Sequence, residues 1–416
     1  MVWSAEHDPS PAGRCLRGKP RSRGVMEGLA GVLPVLDTSA DHSRDFALAS
    51  FLARWAGRAQ HDLSASESET MTLPALLQMA DAEDQHRWQT LELGYASPHG
   101  SQWLRTAIAD RHAGLGAANV LCCAGAQEGL ACVMRALLSS GDHAIVVVPI
   151  YQPTEQAVTS LCEATGIALR EEDNWQPDLD RIADAIRPET KLILINFPNS
   201  PTGAAIDPAR LAALVELCRQ RALWLVNDEV YRSVGHDPAS RPVAELYERG
   251  ISVDALSKGF GLPGLRVGWV LCQDQALLAK VLLAKSALSS CLAKPSEVLA
   301  HIALKAEATI VGRNRAFARS NRTVLLGVLR RHPDIFHEPD LSDAVLAFPR
   351  YLGAEGAGRF ARRLACDAGI LVLPSSLWQS PLAAVPTDRL RIGLGRVEAG
   401  PALRALDEYV TSSRTA

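Results

Sequence analysis

An α/β fold, with a mostly parallel sheet and a smaller α+β domain after it, is predicted for this chain by three observations. Between residues 113 and 275, short and nearly uninterrupted apolar runs alternate with helical patterns, as strands covered on both faces do. After residue 275 the pattern changes to long helical stretches followed by short strands. The length, 416 residues, is enough to bury one large core and a smaller second one.

Taken in order, residues 43–60, which include Phe51-Leu52-Ala53-Arg54-Trp55, predict an amphipathic helix. A second helix is predicted over 72–84 and a third over Gln102 to Ala113. The strands are read from Ala144-Ile145-Val146-Val147-Val148, Leu192-Ile193-Leu194-Ile195, Leu223-Trp224-Leu225-Val226 and Arg266-Val267-Gly268-Trp269-Val270-Leu271. Helices are predicted between them from Gln127 to Leu138 and from Pro208 to Arg221. A helical stretch then runs from Asp274 to about Ala308, interrupted around Pro295, and continues through Arg313 to Arg331. Short strands and one helix complete the chain.

Composition narrows the function. The hydrophobic fraction of 47% and charged fraction of 21% are those of an ordinary globular protein. A net charge of −3 without an interior basic stripe argues against nucleic acid, leaving a small organic molecule as the expected partner. Nine cysteines occur without CxxC pairs or metal-ligand spacing. Cys132, Cys162, Cys218 and Cys366 read as small apolar residues within helices, which suits a reducing compartment. The first 25 residues carry the basic run Arg17 to Arg23 without a following apolar segment, and Met26 is an alternative start. No stretch has transmembrane length free of charge, so a cytoplasmic protein without membrane partner is expected.

The chemistry concentrates in Ser257-Lys258-Gly259-Phe260-Gly261-Leu262-Pro263-Gly264-Leu265-Arg266. Alone, a lysine in a glycine-rich loop is a solvated surface group. The same stretch matches GxGxxG, but a proline and then a strand follow where that motif needs a helix. Its company decides the reading. Asn227-Asp228-Glu229-Val230-Tyr231 follows a strand, where a carboxylate faces the crevice in which α/β folds bind ligands. Asn196-Phe197-Pro198-Asn199-Ser200-Pro201-Thr202-Gly203 and Val148-Pro149-Ile150-Tyr151 also leave strands. Ala124-Gly125-Ala126-Gln127 opens a helix whose first N–H groups suit a phosphate. An imine-forming amine, an acid for a ring nitrogen and an anion site are the needs of pyridoxal 5′-phosphate (PLP). Arg266 adds a cation for the phosphate, and Arg391 in Leu390-Arg391-Ile392-Gly393-Leu394 suits a substrate carboxylate. Glu67 is either an exposed loop acid or a partner for a cationic substrate side chain.

In this order the segments resemble the class I/II aminotransferases of PLP fold type I, the aspartate-aminotransferase-like family, from about Leu91 to Arg396. The resemblance implies a large domain with a mixed, mostly parallel sheet between helices. It implies Lys258 as the Schiff-base lysine and proton shuttle, Asp228 on the pyridinium, and Tyr231 on the 3-oxygen. Tyr151 is expected to stack on the ring. Gly125, Ala126, Gln127, Ser257 and Arg266 are expected to hold the phosphate, and Arg391 the substrate carboxylate. Tyr95, in Leu93-Gly94-Tyr95-Ala96-Ser97-Pro98, matches a tyrosine that reaches the partner subunit's phosphate, implying a homodimer with shared sites. Two positions depart from the family: Ser200 stands where it has asparagine, so Asn199 or Ser200 must meet the 3-oxygen, and Ala255 replaces a frequent serine. The expected reaction moves an amino group between an L-amino acid and a 2-oxo acid. His61-Asp62-Leu63-Ser64 and Leu390 to Arg396 are also similar to the capreomycidine-synthase-like branch. That likeness implies the alternative of elimination and cyclisation, or oxidation, of an amino acid such as hydroxyarginine. A non-enzymatic PLP-binding module is the minor alternative. The expected division is a tail over 1–42, a segment over 43–85 packing with the small domain and substrate pocket, a large PLP-binding domain over 86–300 and a small domain over 301–416.

Overall fold

The computed structural model describes residues 46–234, 241–337 and 344–415. The N-terminal tail, its basic run, Met26 and the start of the first expected helix lie outside the described residues. Seven strands form the central sheet: β1 Val120–Cys123, β2 His143–Val148, β3 Glu163–Ala168, β4 Thr190–Asn196, β5 Trp224–Asp228, β6 Gly250–Ala255 and β7 Gly268–Cys272. Their spatial order is β1-β7-β6-β5-β4-β2-β3. β2, β3, β4, β5 and β6 pair in parallel, whereas β7 runs antiparallel to both of its neighbours, β6 and β1.

Side-chain alternation explains the layers. Ala144, Val146, Val148, Leu192 and Leu194 enter one apolar cluster, whereas Ile145, Val147, Ile193 and Ile195 enter another. Successive residues of a strand point to opposite faces, so a run apolar at every position buries both. The helix Ala126–Leu137 covers one face and Pro208–Gln220 the other.

Three expectations need correction. The helix read over 72–84 is two helices, Leu73–Leu77 and Ala82–Gln89. Asp81 separates them, its carboxylate accepting from the Asp84 N–H at 2.9 Å as the N-cap of a new helix. The stretch around Pro295 is a connection over 287–293 between Gln275–Ser286 and Lys294–Lys305. Pro295 lies in the first turn of the second helix, where its missing N–H costs nothing. Cys162 lies in the turn before β3, outside any helix, while Cys132, Cys218 and Cys366 are helical.

The C-terminal region builds a separate apolar cluster from Leu325, Phe360, Leu364, Ile392, Leu403 and their neighbours, joined by Leu63. Two elements lace it to the central sheet. The helix Glu307–Arg331 donates from Asn314 Nδ2 to the Gly259 carbonyl (2.9 Å) and from Asn321 Nδ2 to the Leu394 carbonyl (3.0 Å). The extended segment 63–69 accepts the Gly393 N–H at the Leu63 carbonyl (2.7 Å) and donates the Ser68 N–H to the Lys258 carbonyl (3.0 Å). The loop bearing Lys258 and the strand bearing Arg391 are thereby held in one frame. No helix among the described residues is long and apolar enough to cross a membrane.

Candidate active site

The parallel strands present their C-terminal ends along one edge of the sheet, where α/β folds bind ligands. β1 leads into Gly125 and Ala126, β2 into Tyr151, β4 into Ser200, β5 into Tyr231 and β6 into Lys258. The antiparallel β7 begins at this edge, with Gly268 opposite both Cys123 and Ala255, so Arg266 reaches the same place. A cavity of about 360 Å³ opens here, a size suited to a small organic ligand. Ala126, Gln127, Tyr151, Ser200, Asp228 and Tyr231 line it, together with Ser257, Lys258, Arg266 and Arg391.

Lys258 donates from Nζ to Ser66 Oγ at 2.6 Å and lies 5.8 Å from the centroid of the Tyr231 ring. Asp228 is buried. Its Oδ1 accepts from the Val230 N–H at 3.3 Å, and burial raises its carboxyl to about 7. Arg391 is also buried, its guanidinium 5.2 Å from the Trp378 ring. It donates through Nη2 to the Ser64 carbonyl, and its buried Nε has no hydrogen-bond partner among the described residues. Burial lowers its pKa more than Tyr231, Glu67 and Asp62 raise it, so its charged form would gain from an anion brought into contact.

Gly125 shows why glycine stands before the helix. Its φ is +91°, and a Cβ there would lie 2.5 Å from Arg266 Nη2. Arg266, itself left-handed at φ 52°, donates to the Ala124 carbonyl at 3.2 Å. The guanidinium therefore lies against the start of the helix Ala126–Leu137, placing a cation beside free helical N–H groups.

Two of the candidate residues are engaged within the chain, and a third lies at its surface. Asn199 faces away from this cavity: its amide donates to the Pro149 and Asn196 carbonyls and its Oδ1 accepts from Thr202. Of the two candidates for the 3-oxygen, Ser200 alone lines the cavity. Glu67 is neither exposed nor free, since Oε1 accepts from Arg396 Nη2 at 2.7 Å and Oε2 from the Ser66 N–H at 3.2 Å. Burial raises its pKa, but the nearby Lys258 ammonium and Arg396 guanidinium outweigh this and lower it overall. Tyr95 lies outside this chain's cavity and is 90% exposed.

Sequence reasoning missed Ser66, Asn196 and Trp378, and it set the segment 43–85 at the substrate pocket without naming the lining residues of its first helix, α1 Ala47–Trp55. Asn196 was findable, because it ends β4 directly opposite Asp228 on β5. It donates to the Asp228 carbonyl at 2.8 Å and accepts from the Ser200 N–H at 2.9 Å. Ser66 and Trp378 reach the cavity only through tertiary packing.

Sheet order, edge and side chains together define a fold type I PLP enzyme. The chain belongs to the class I and II aminotransferase family, whose model matches residues 58–399. It is 30% identical over 318 residues to the capreomycidine synthase of Streptomyces vinaceus, covering 74% of this chain and 79% of that protein. Among solved structures, a PLP-dependent aminotransferase from Streptococcus suis superposes with a TM-score of 0.82 at 26% identity, covering 88% of this chain and 98% of that one. The PLP-dependent cyclase OrfR gives a TM-score of 0.79, also at 26% identity, over 91% of this chain and all of that one.

Proposed function

We propose that the chain exchanges an amino group between an L-amino acid and a 2-oxo acid, with Lys258 as the amine that carries PLP and moves the substrate's Cα proton. One observation carries this reading: Lys258 Nζ shares a single cavity with two guanidinium groups and a buried carboxylate. Two cations suit two anions, a cofactor phosphate and a substrate carboxylate.

The residues fit the cofactor. An acid raised to about 7 by burial gains most from a cation brought against it, as a pyridinium nitrogen would be. Asp228 would hold that nitrogen. Arg266, Ser257 and the backbone of Gly125, Ala126 and Gln127 would hold the phosphate, and Tyr231 and Ser200 would meet the 3-oxygen. Tyr151 would cover the ring. When bound, PLP supplies an aldehyde for the amine and a ring that accepts the electron pair left at Cα.

The chain's own work is to bind and orient. Arg391 pairs through its free Nε with the substrate carboxylate, fixing the amino acid by one end. Lys258 Nζ, poised by the Ser66 hydroxyl in the free chain, takes the Cα proton once it is released to the substrate. Ser66 acts here as a positioning residue.

A homodimer is part of the proposal. Tyr95 is exposed beside Leu93 (83% exposed), and their segment touches the stretch carrying Leu288, through Lys285 Nζ to the Pro98 carbonyl. An exposed apolar patch of this kind suits a second copy, whose cavity Tyr95 would enter. Residues 86–300 would form the cofactor-binding domain and 301–416 the smaller one, supported by the separate C-terminal apolar cluster. Unpaired cysteines support a reducing, cytoplasmic setting.

The cyclase relatives favour a second reading, elimination and ring closure on one amino acid without a 2-oxo acid. A single-turnover experiment separates the two. With an amino acid and no acceptor, transamination releases one 2-oxo acid per site and then stops, leaving the cofactor in its amine form. Continued turnover with the cofactor recovered as PLP would establish the second reading instead.

A further inference from the structure

We propose that the substrate's side chain is uncharged and apolar, and that the inner face of α1 selects it. The inference rests on the PLP reading of the cavity and adds the substrate class.

Helix α1 crosses the cavity mouth between the two parts of the molecule. At its start the Ala47 N–H is held by Gln152 Oε1 at 3.0 Å, and the Phe46 ring meets Tyr151 edge-on at 5.3 Å. Farther along, Phe51 and Trp55 pack on Ala365 and Leu371 of the C-terminal region. Leu48 and Leu52, four residues apart and so on one helix face, turn into the cavity with Phe46 and Ala49. Leu130, Val230 and Trp378 line the same cavity.

The charges in the cavity are already assigned. Its charged lining among the described residues is Asp228, Lys258, Arg266 and Arg391. A guanidinium or ammonium side chain would need a free carboxylate, and among the described residues Asp228 is the only acid on the cavity. Glu67, the nearest alternative, is engaged by Arg396 and the Ser66 N–H. An acidic side chain would need a third cation beyond the two that receive the phosphate and the α-carboxylate. An unpaired charge against Leu48 and Leu52 is disfavoured, whereas an alkyl or aryl group gains from leaving water.

Carboxylates lacking the amino group read this preference as binding, without turnover. The PLP-loaded protein would be titrated by calorimetry with 4-methylpentanoate, 5-guanidinopentanoate and glutarate, the desamino forms of leucine, arginine and glutamate. We expect 4-methylpentanoate to bind at least tenfold more tightly than either charged ligand, since one methylene in an apolar pocket is worth roughly tenfold or more. Leu48→Ala and Leu52→Ala should each reduce that preference at least threefold. Leu52 also packs in the cluster of Trp55, Ala365 and Leu371, so Leu48→Ala decides the matter if Leu52→Ala loosens the helix. Equal or tighter binding of a charged ligand, binding of none, or an unchanged ratio in Leu48→Ala would overturn the inference. A protein that retains no PLP absorbance would overturn the site reading itself, which separates the two failures.

Discussion

At the scale of single residues, the buried acid Asp228 ties chemistry to stability. Burial raises its carboxyl to about 7, against ~3.9 for an aspartate in an unfolded chain. The folded, cofactor-free protein therefore keeps a proton there that the unfolded chain gives up. This contribution is full below pH ~4 and is lost as the pH rises through about 7. Asp228→Asn removes the titration. Between pH 5 and pH 8 the cofactor-free variant should lose less stability than the parent, by on the order of 2 kcal/mol in urea unfolding. The same variant should lose at least about a hundredfold in turnover, because a neutral amide cannot hold the ring as a cation. A parallel pH dependence for the two proteins would remove the buried-acid explanation.

Among the elements, the helix Ala126–Leu137 and its leading glycine would form the proposed anion cradle. Gly125→Ala would put a Cβ against Arg266 Nη2 at a φ that only glycine adopts freely. PLP affinity should fall at least tenfold, measured by fluorescence titration, with Arg266→Lys falling less than Gly125→Ala; an unchanged affinity would place the phosphate elsewhere. The strand–glycine–helix unit was legible in the sequence because its three parts follow one another within a few residues. Other elements were hidden. β6 reads Gly-Ile-Ser-Val-Asp-Ala, and its polar positions mask a buried strand. Ser252 donates to Glu229 at 2.7 Å and Asp254 pairs with Arg232 at 3.4 Å, satisfactions that no local pattern reveals. β3 is a half-exposed edge strand without an apolar run, and β1 is only four residues long.

For the whole molecule, what the sequence shows best is the order of motifs, since the segments around Gly125, Tyr151, Ser200, Asp228 and Lys258 come at the ends of central strands. What it hides is the convergence of distant segments. Ser66 meets Lys258 across 192 residues, and Arg391 meets the Ser64 carbonyl across 327. The choice between Asn199 and Ser200 was hidden for the same reason, because the turn spends the Asn199 amide on backbone carbonyls. The proposed homodimer belongs at this scale. Light scattering should give the mass of two chains, and Tyr95→Ala should lower PLP retention at least fivefold while leaving the melting temperature of the cofactor-free protein within about 2 °C. A monomer with full PLP retention would remove Tyr95 from the site. The central claim, that all these segments assemble around the amine of Lys258, is tested most directly by borohydride reduction of the PLP-loaded protein and peptide mapping. The expected result is one pyridoxyl group per chain, on Lys258; a label on another lysine, or none, would contradict the account.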